Sequence, residues 1–356
     1  MAVRQGRPRG DGGLLGAGAV DLQAALGELR ERGETDEAHL VRLLEQAVAD
    51  TYHRLVPGDP TVQARVDLLT GNVELVRPRQ PSPADEAPTE TGEAPEPTEP
   101  SALEHVDPPS PDFVRQAANA ARAAVQGLIR DVEAERVLRE AAARRGELVD
   151  AIVERSEEEG IAGLIAGGMP VMLPPEEQIP GEKLERGRHL KVVVIDARRR
   201  GRDAVAVGSR SHPDLLRRLL EQEVPELASG QVTIRAMARE PGRRSKVAVE
   251  ALQAGIDPVG ACIGPRGVRI RAVVSELGEE QVQVIAWSDD PASYVANSLQ
   301  PATVRKVELD EDQHTAHVLV PANQLSLAIG RSGENARLAA RLTRWRIDIS
   351  GEGDAQ

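Results

Sequence analysis

The chain has 356 residues, which at about 150 residues per domain predicts two to three domains. Its two Trp, two Tyr and one Phe are too few for nucleic-acid binding by rows of stacked rings, and its single Cys excludes an intramolecular disulfide and a multi-cysteine zinc site. The formal net charge of -13 argues, taken alone, against a nucleic-acid partner.

Much of that negative charge lies in one segment. Residues 80–112 contain nine Asp or Glu, nine Pro and no Lys or Arg. A stretch this polar and rich in proline cannot bury enough apolar surface to fold, so we predict a disordered insertion over 80–112. Removing its nine charges leaves -4 for the rest of the chain, so the acidity does not describe the other domains.

The elements before the middle of the chain predict an α+β N-terminal domain over 21–145. Residues 1–20 carry three Arg and a short apolar run broken by glycines, which predicts a disordered extension and neither a secretory signal nor a membrane span. Helical spacing of apolar residues predicts two helices over 21–55. Alternation predicts a β-hairpin over 61–78, and a long helix is predicted from Pro109 to about Arg145.

Residues 146–208 are predicted to form a small β-barrel. Short apolar runs there are separated by Gly, Pro and charged residues, as in a barrel of short strands. The segment has no Phe, Tyr or Trp, so we do not expect bases to stack on it. Its basic run fits either phosphate binding or a solvated turn between strands, and consists of Arg198, Arg199, Arg200 and Arg202.

The rest of the chain is an internal repeat. Two stretches, 209–288 and 289–350, each read as helix, two strands, short helix, glycine loop, longer helix and strand, with a tail at 351–356. The loops read Ile-Gly-Pro-Arg-Gly from Ile263 and Ile-Gly-Arg-Ser-Gly from Ile329. We therefore predict one αββααβ unit that occurs twice.

The repeated glycine loop has the features of a phosphate-binding turn. Glycine lets the backbone approach a phosphate closely, and free N–H groups at the start of the next helix face the anion. A lone G-x-x-G is also common as a tight helix–helix turn, but its duplication in matching surroundings favours binding. This is the K-homology (KH) pattern, in which the loop clamps the backbone of about four nucleotides. The order of elements resembles the type II KH arrangement.

The candidate RNA contacts are the two loops and the cations near them. The loop residues are Gly264, Pro265, Arg266, Gly267, Gly330, Arg331, Ser332 and Gly333. The cations that follow on the helices are Arg269, Arg271, Arg337 and Arg341, and a cluster before a strand comprises Arg243, Arg244 and Lys246. That last cluster fits a solvated face about as well as a phosphate contact. The candidates for an aliphatic base groove are Ile263, Val268, Ile270, Ile329 and Ala336.

No catalytic chemistry is predicted. The sequence contains no G-x-x-x-x-G-K-[ST], H-E-x-x-H or G-x-S-x-G motif, so we expect no enzyme, no cofactor and no metal site. His314 and His317 lie among acidic residues that fit a charged turn better than a metal site. Cys262 is expected as a packed side chain, whereas Trp287 and Trp345 are expected to cap a core or the interface between the repeats.

Several runs resemble the NusA family of bacterial transcription elongation and termination factors. The repeats contain AREPGRRSKVAVE (238–250), IDPVGACIGPRGVRIRAVVSELGEE (256–280) and LSLAIGRSGENARLAARLTRW (325–345). The earlier matches are PSPDFVRQAANAARAAVQ (109–126), LPPEEQIPGE (173–182) and SRSHPDLLRRLLEQEVPEL (209–227). The resemblance covers about residues 21–350 and is strongest over the last 150. It implies an S1-like OB barrel at 146–208 between the N-terminal domain and two tandem type II KH domains.

The resemblance also implies a function. Members of this family bind RNA polymerase near the RNA exit channel through the domain that matches 21–145. Their barrel and KH pair hold the nascent single-stranded RNA, which modulates pausing, termination and antitermination together with other Nus factors and a ribosomal protein. For this chain we accordingly expect a cytoplasmic monomer with no membrane partner. The aromatic-free barrel and the insertion at 80–112 depart from the family.

Two other functions remain open from the sequence. KH and OB modules also occur in other RNA-binding machines, so the alternative is an RNA-binding adaptor of a ribosome-associated or RNA-decay complex. An enzyme of RNA metabolism is remote, because no catalytic motif is found.

Overall fold

The computed structural model of the chain describes residues 37–67, 72–79, 103–156 and 160–353. The predicted extension at 1–20, the first predicted helix and the turn of the predicted hairpin lie outside these residues. Within the described ranges, no helix is long and apolar enough to cross a membrane.

The N-terminal domain packs two helices against a three-stranded sheet. Its elements are α1 (Glu37–Leu55), β1 (Gln63–Asp67), β2 (Asn72–Pro78), β3 (Leu103–Val106) and α2 (Pro111–Ala143). β1 and β2 pair antiparallel, which confirms the predicted hairpin. Apolar residues one helical turn apart, such as Leu40, Leu44 and Val48 of α1, share one buried core with Leu75 of β2 and Phe113 of α2.

The predicted disordered insertion, 80–112, is too long at its C-terminal end. Leu103–Val106 forms β3, which pairs antiparallel with β2, and α2 begins at Pro111. The Ser110 hydroxyl accepts a hydrogen bond from the Phe113 N–H (3.1 Å) and so caps the helix. Composition did not reveal β3 because its order comes from backbone hydrogen bonds to a distant strand. The remainder of the insertion, 80–102, lies outside the described residues.

The middle of the chain forms a closed five-stranded barrel, where the sequence predicts a small β-barrel. The strands are β4 (Leu148–Ser156), β5 (Ala162–Ala166), β6 (Met169–Leu173), β7 (His189–Arg200) and β8 (Asp203–Ser209), and they close in the order β4-β5-β6-β8-β7. Every second residue of β5 and β6 is buried. Aliphatic side chains and Met169 therefore fill the interior without an aromatic ring.

The predicted duplicated αββααβ unit is confirmed. The first KH unit (209–288) contains α3 (Pro213–Glu223), α4 (Pro225–Ala228), β9 (Val232–Glu240), β10 (Arg244–Ala251), α5 (Pro258–Ile263), α6 (Val268–Leu277) and β11 (Gln281–Ala286). The second KH unit, predicted over 289–350, contains α7 (Pro291–Ser298), β12 (Lys306–Asp310), β13 (Thr315–Val320), α8 (Leu325–Ile329), α9 (Glu334–Thr343) and β14 (Arg346–Gly351), which ends one residue beyond the predicted range. In each sheet the central strand, β10 or β13, pairs antiparallel with one neighbour and parallel with the other.

A buried arginine joins the barrel to the first KH unit. The Arg210 side chain is fully buried, and its guanidinium donates to Glu182 (2.6 and 2.8 Å) and to Glu276 Oε1 (2.8 Å). It also donates to the backbone oxygens of Lys191 and Glu276. A buried charge is tolerated only when it is paired and hydrogen-bonded, and here the guanidinium has a partner on every side.

The two KH units share a small apolar core. Ala238, Ala248 and Ile285 of the first unit pack against the second unit's residues Tyr294, Leu338 and Leu342. Trp287 packs on Tyr294 with 6.4 Å between ring centroids, so it lies at the interface, as predicted for this residue. Because apolar burial holds the units together, the spacing between their glycine loops is fixed by the fold.

Candidate nucleic-acid interface

The two glycine loops have the same backbone conformation. Gly264 has φ 73° and ψ 171°, and Gly330 has φ 78° and ψ 171°. The third residue of each loop, Arg266 (φ 53°) or Ser332 (φ 51°), is left-handed although it is not glycine. The repeat read from the sequence therefore extends to individual backbone angles.

The first glycine of each loop is required by two independent constraints. Its φ and ψ lie in a region that is essentially limited to glycine. A Cβ at Gly264 would also lie 2.7 Å from Arg269 Cγ, and a Cβ at Gly330 would lie 2.7 Å from Asn335 Cβ. The loop therefore packs directly on the helix that follows it, which holds the start of that helix in place.

The helix that follows each loop begins without a side-chain cap. Gly267 precedes α6 and Gly333 precedes α9, and neither supplies a capping oxygen. The turns are closed by backbone bonds from Gly267 N to Gly264 O (3.0 Å) and from Gly333 N to Gly330 O (3.2 Å). An N-terminus of this kind suits an anion such as a phosphate, because the helix dipole and the free N–H groups both favour negative charge.

Two of the predicted cations of the first KH unit are available to a ligand. Arg266 is exposed within the loop, and Arg271 Nη1 donates to the Arg266 carbonyl oxygen (2.5 Å). Neither forms an ion pair with any described residue. Arg269, also a predicted contact, instead donates to Glu226 Oε2 (2.8 Å) and to the Ala261 carbonyl (2.6 Å). Both hydrogen bonds come from Arg269 Nη1, and they fit a role in supporting the loop.

The cations of the second KH unit are mostly paired within the protein. Arg331 is exposed in the loop and has no ionic partner in the described ranges. Arg337 donates to both carboxylate oxygens of Glu240, at 2.7 and 3.0 Å, and Arg341 donates to the same carboxylate. The hydrogen bond from Arg337 lowers the pKa of Glu240, and the same contact raises the pKa of Arg337. Both arginines predicted on α9 are thus compensated by a carboxylate of the first unit.

The predicted cluster Arg243, Arg244 and Lys246 does not form a free basic patch. Lys246 is fully buried, and its Nζ donates to Gln283 Oε1 (2.7 Å) and to the Gln300 carbonyl (2.9 Å). Burial lowers the pKa of Lys246 to about 7, with a smaller contribution from Arg244. A buried ammonium cannot touch a phosphate, so the prediction for Lys246 is corrected.

The two arginines of this cluster face the second KH unit. Arg243 Nε lies 3.3 Å and Arg244 Nε 3.8 Å from the Glu334 carboxylate. Arg244 also donates to Gln281 Oε1 (2.6 Å). These contacts are compatible with two roles for Arg243 and Arg244, stabilising the interface between the KH units and binding a nucleic-acid phosphate.

Exposed aliphatic side chains flank both loops. Ile263 and Ile329, which begin the two loop sequences, are each 37% exposed, and Val268 is 60% exposed. Ile270 and Ala336, the other predicted groove residues, are only half-buried. Leu327 is 47% exposed and was missed by the sequence prediction. The sequence feature that could have identified Leu327 is that it is a large apolar residue of the short helix α8 that does not lie on the buried face of the helix.

A cleft of about 420 Å³ joins the two KH units beside the second loop. Its walls come from both units and comprise Arg244, Gln281, Val282, Gln283, Pro301, Ser326, Leu327, Gly330 and Arg331. The glutamines belong to β11, an edge strand of the first sheet. Sequence reasoning did not select them because a polar residue on an edge strand is ordinarily solvated.

Several of the remaining residues singled out from the sequence contact other parts of the protein. Arg199 pairs with Glu135, and Arg198 Nε lies 3.8 Å from Asp196, so these two members of the barrel's basic run have acidic partners. Cys262 is buried, and burial raises the pKa of its thiol to about 11, as expected for a packed side chain. Trp345 stacks on His314 with 4.2 Å between ring centroids.

Two KH units with uncapped glycine loops, exposed aliphatic residues and a joining cleft define a tandem KH protein. Residues 210–287 match the NusA-like first KH domain and residues 291–356 the NusA-like second KH domain. The chain is 39% identical over 321 residues to the transcription termination/antitermination protein NusA of Mycobacterium tuberculosis, with 88% of each chain covered. It therefore belongs to the NusA family.

Two further relatives bear the same name. The Bacillus subtilis protein is 40% identical over 245 residues, which cover 69% of this chain and 66% of the relative. The Thermus thermophilus protein is 43% identical over 219 residues, which cover 62% of this chain and 57% of the relative.

Proposed function

We propose that this chain is an RNA-binding transcription factor that binds RNA polymerase and nascent RNA and modulates pausing, termination and antitermination. The observation that carries the proposal is the pair of glycine loops with one backbone conformation. Each loop has an exposed arginine, Arg266 or Arg331, and begins at an exposed isoleucine, Ile263 or Ile329. Family membership supports it, because the relatives are named transcription termination/antitermination proteins.

The loops and the residues around them suit a single strand of RNA. Loop N–H groups and arginines bind phosphates, and the isoleucines offer an apolar surface to the bases. Trp287 packs on Tyr294 and Trp345 stacks on His314, so we expect the bases to rest on aliphatic groups. Each phosphate that is neutralised contributes about 0.7 to the slope of log affinity against log salt concentration for a single strand.

The joining cleft supports one continuous strand over both units. It is bounded by Gln281 and Gln283 on one side and by Gly330 and Arg331 of the second loop on the other. We propose that a strand bound at the second loop continues through this cleft along β11 of the first unit. The RNA contacts that we retain are Gly264, Pro265, Arg266, Gly267, Arg271, Gly330, Arg331, Ser332 and Gly333.

The N-terminal domain is the part of the chain that we propose binds RNA polymerase. Residues 21–145 have a separate core in their described part, and the match to the Mycobacterium tuberculosis relative spans 88% of this chain. We place the protein in the cytoplasm, where bacterial transcription occurs, with other Nus factors and a ribosomal protein as further partners. The proposed role is binding and requires no covalent chemistry.

The test is a pausing and release assay on a purified elongation complex. The full chain should change the lifetime of a paused complex. A variant in which Pro265, Arg266, Arg331 and Ser332 are all changed to Asp should lose that effect. Asp tolerates the left-handed backbone of the third loop position, so each loop keeps its shape while its charge is reversed. Equal activity of the two proteins would contradict the RNA clamp.

A second measurement separates this function from the adaptor alternative. The full chain is used to capture partners after nuclease treatment, so that RNA does not bridge them. Retention of RNA polymerase by both the wild-type protein and the loop variant supports the transcription role. Retention of ribosomes or of a decay complex instead of polymerase would favour the adaptor.

A further inference from the structure

The two glycine loops are flanked by the same arginine in different electrostatic surroundings. Arg271 and Arg337 occupy corresponding positions, 66 residues apart, and each donates to a carbonyl of its own loop. The distances are 2.5 Å to Arg266 O and 3.5 Å to Ser332 O. Arg271 has no carboxylate partner among the described residues, whereas Arg337 is held by Glu240 through two hydrogen bonds. The second loop therefore has an arginine beside it whose charge is already compensated.

Glu240 belongs to the other KH unit. It is the last residue of β9 in the first unit, and its carboxylate receives hydrogen bonds from both Arg337 and Arg341 of α9. The Glu240 side chain is only 15% exposed, while the two arginines are 47% and 46% exposed. Arg337 is thus open to a ligand beside the loop and Arg341 is open on the same helix, while the carboxylate that neutralises them is mostly buried. Their hydrogen bonds keep the pKa of Glu240 low, so it is ionised at neutral pH.

The interface does not depend on this carboxylate. The shared apolar core of Ala238, Ala248 and Ile285 with Tyr294, Leu338 and Leu342 holds the two units together. Arg243 and Arg244 form a separate contact with Glu334. Ion pairs whose arginines are half exposed contribute little to stability, because water and salt screen them. Glu240 consequently has a larger effect on the local charge than on the packing.

We infer that Glu240 lowers the affinity of the second KH unit for RNA. Its carboxylate compensates the charges of Arg337 and Arg341, which would otherwise bind an RNA phosphate more strongly. This inference rests on the proposed RNA-binding function. The first unit then binds phosphates with free arginines, while the second holds the strand more weakly and releases it more readily.

The test measures the affinity of the full chain for a labelled 12-nucleotide single-stranded RNA of mixed sequence, by fluorescence anisotropy at several salt concentrations. Glu240→Gln keeps the size of the side chain and removes its charge. We expect several-fold tighter binding at low salt and a log–log salt slope steeper by about 0.7 for each arginine that gains a phosphate. A triple variant, E240Q/R337Q/R341Q, should return the slope to the wild-type value.

The matched control is Glu308→Gln. Glu308 is an exposed carboxylate on β12 that pairs with Lys306, so this variant also removes one negative charge and frees one cation of the second unit. β12 is the edge strand opposite β14 in the sheet. E308Q should therefore leave the salt slope unchanged, and thermal unfolding of both variants checks that they are folded.

The outcomes separate the inference from the function on which it rests. Tighter binding and a steeper salt slope for E240Q alone support the proposed effect of Glu240 on RNA affinity. Equal effects of E240Q and E308Q, or weaker binding by a folded E240Q, would overturn it while the RNA-binding function stands. Failure of the wild-type chain to bind the RNA at low salt would overturn both.

Discussion

The two KH units present the same loop backbone with different chemistry. The first loop has Pro265 where the second has Arg331, and proline offers no backbone N–H. In the first unit Arg266 and Arg271 have no acidic partner among the described residues, and their charges can make up for the N–H that Pro265 lacks. Arg337 of the second unit is paired with Glu240. Duplication thus preserved the geometry of the loop, while the neighbours of each copy set its charge. We expect the first unit to contribute more of the salt-dependent affinity, and four predictions test or refine that contrast.

The largest effect is expected from Gly330→Ala in the second loop. Its φ and ψ are essentially limited to glycine, and the new Cβ would lie 2.8 Å from the Asn335 backbone nitrogen. Strain and overpacking together should cost about 3 kcal/mol of unfolding free energy. Urea unfolding measures this cost, with G333A as the control. Gly333 has an ordinary left-handed backbone and open space around it, so its substitution should cost only about 1 kcal/mol. Equal costs would contradict the close packing of the loop on α9.

The contrast in charge predicts unequal effects of paired arginine substitutions. R266Q/R271Q removes two unpaired cations and should weaken RNA binding about 10-fold at moderate salt, with a slope shallower by about 1.4. R337Q/R341Q removes two cations that Glu240 already compensates, and it should change the slope by less than about 0.7. Salt titrations of RNA binding compare the two variants directly. A larger effect from the second pair would reverse the assignment of the stronger clamp.

The stability of the folded chain should depend on pH because of Lys246, whose side chain is buried where the two KH units meet. Burial lowers the pKa of this ammonium to about 7 in the folded chain, and the unfolded side chain titrates near 10.4. Between these values the unfolded chain binds more protons, so stability rises as the pH increases from 7 towards 10 and is insensitive to this group well below 7. We expect the wild-type protein to gain about 1.6 kcal/mol between pH 7 and 8.5 relative to K246M.

Urea midpoints at several pH values measure this gain. K306M serves as the control, because Lys306 is exposed. An equal pH response of the wild type and K246M would show that Lys246 titrates normally.

The smallest effect is expected from Arg269→Gln within the first unit. This side chain joins Glu226 to the Ala261 carbonyl, so its loss should cost about 1 kcal/mol of stability through two charge-assisted hydrogen bonds. The RNA salt slope should stay at the wild-type value, since Arg269 supports the loop from behind. R271Q, two residues further along the same helix, should show the opposite pattern of a changed slope and unchanged stability. A changed slope for R269Q would return Arg269 to the RNA contacts.

The parts of the fold that were predicted from the sequence are those encoded locally. Glycine residues between elements and the periodicity of apolar residues located the repeat, and the structure has the predicted order of helices and strands in both units. The strand β3 was missed because its hydrogen bonds go to β2, which is separated from it by the acidic insertion. A four-residue strand that exists only through a distant neighbour has no local signature.

For the site, the sequence by itself determined the loops, the candidate arginines and the aliphatic positions that begin each loop. Only the tertiary structure decided which arginines remain unpaired, because their partners are far away in the chain. Glu226 is 43 residues from Arg269, and Glu240 is 97 residues from Arg337. A carboxylate compensates a guanidinium only across a few ångströms of space, and that proximity arises when the strands and helices of the two units pack together. The positions of the cations were therefore readable in the sequence, but their availability to RNA was a property of the fold.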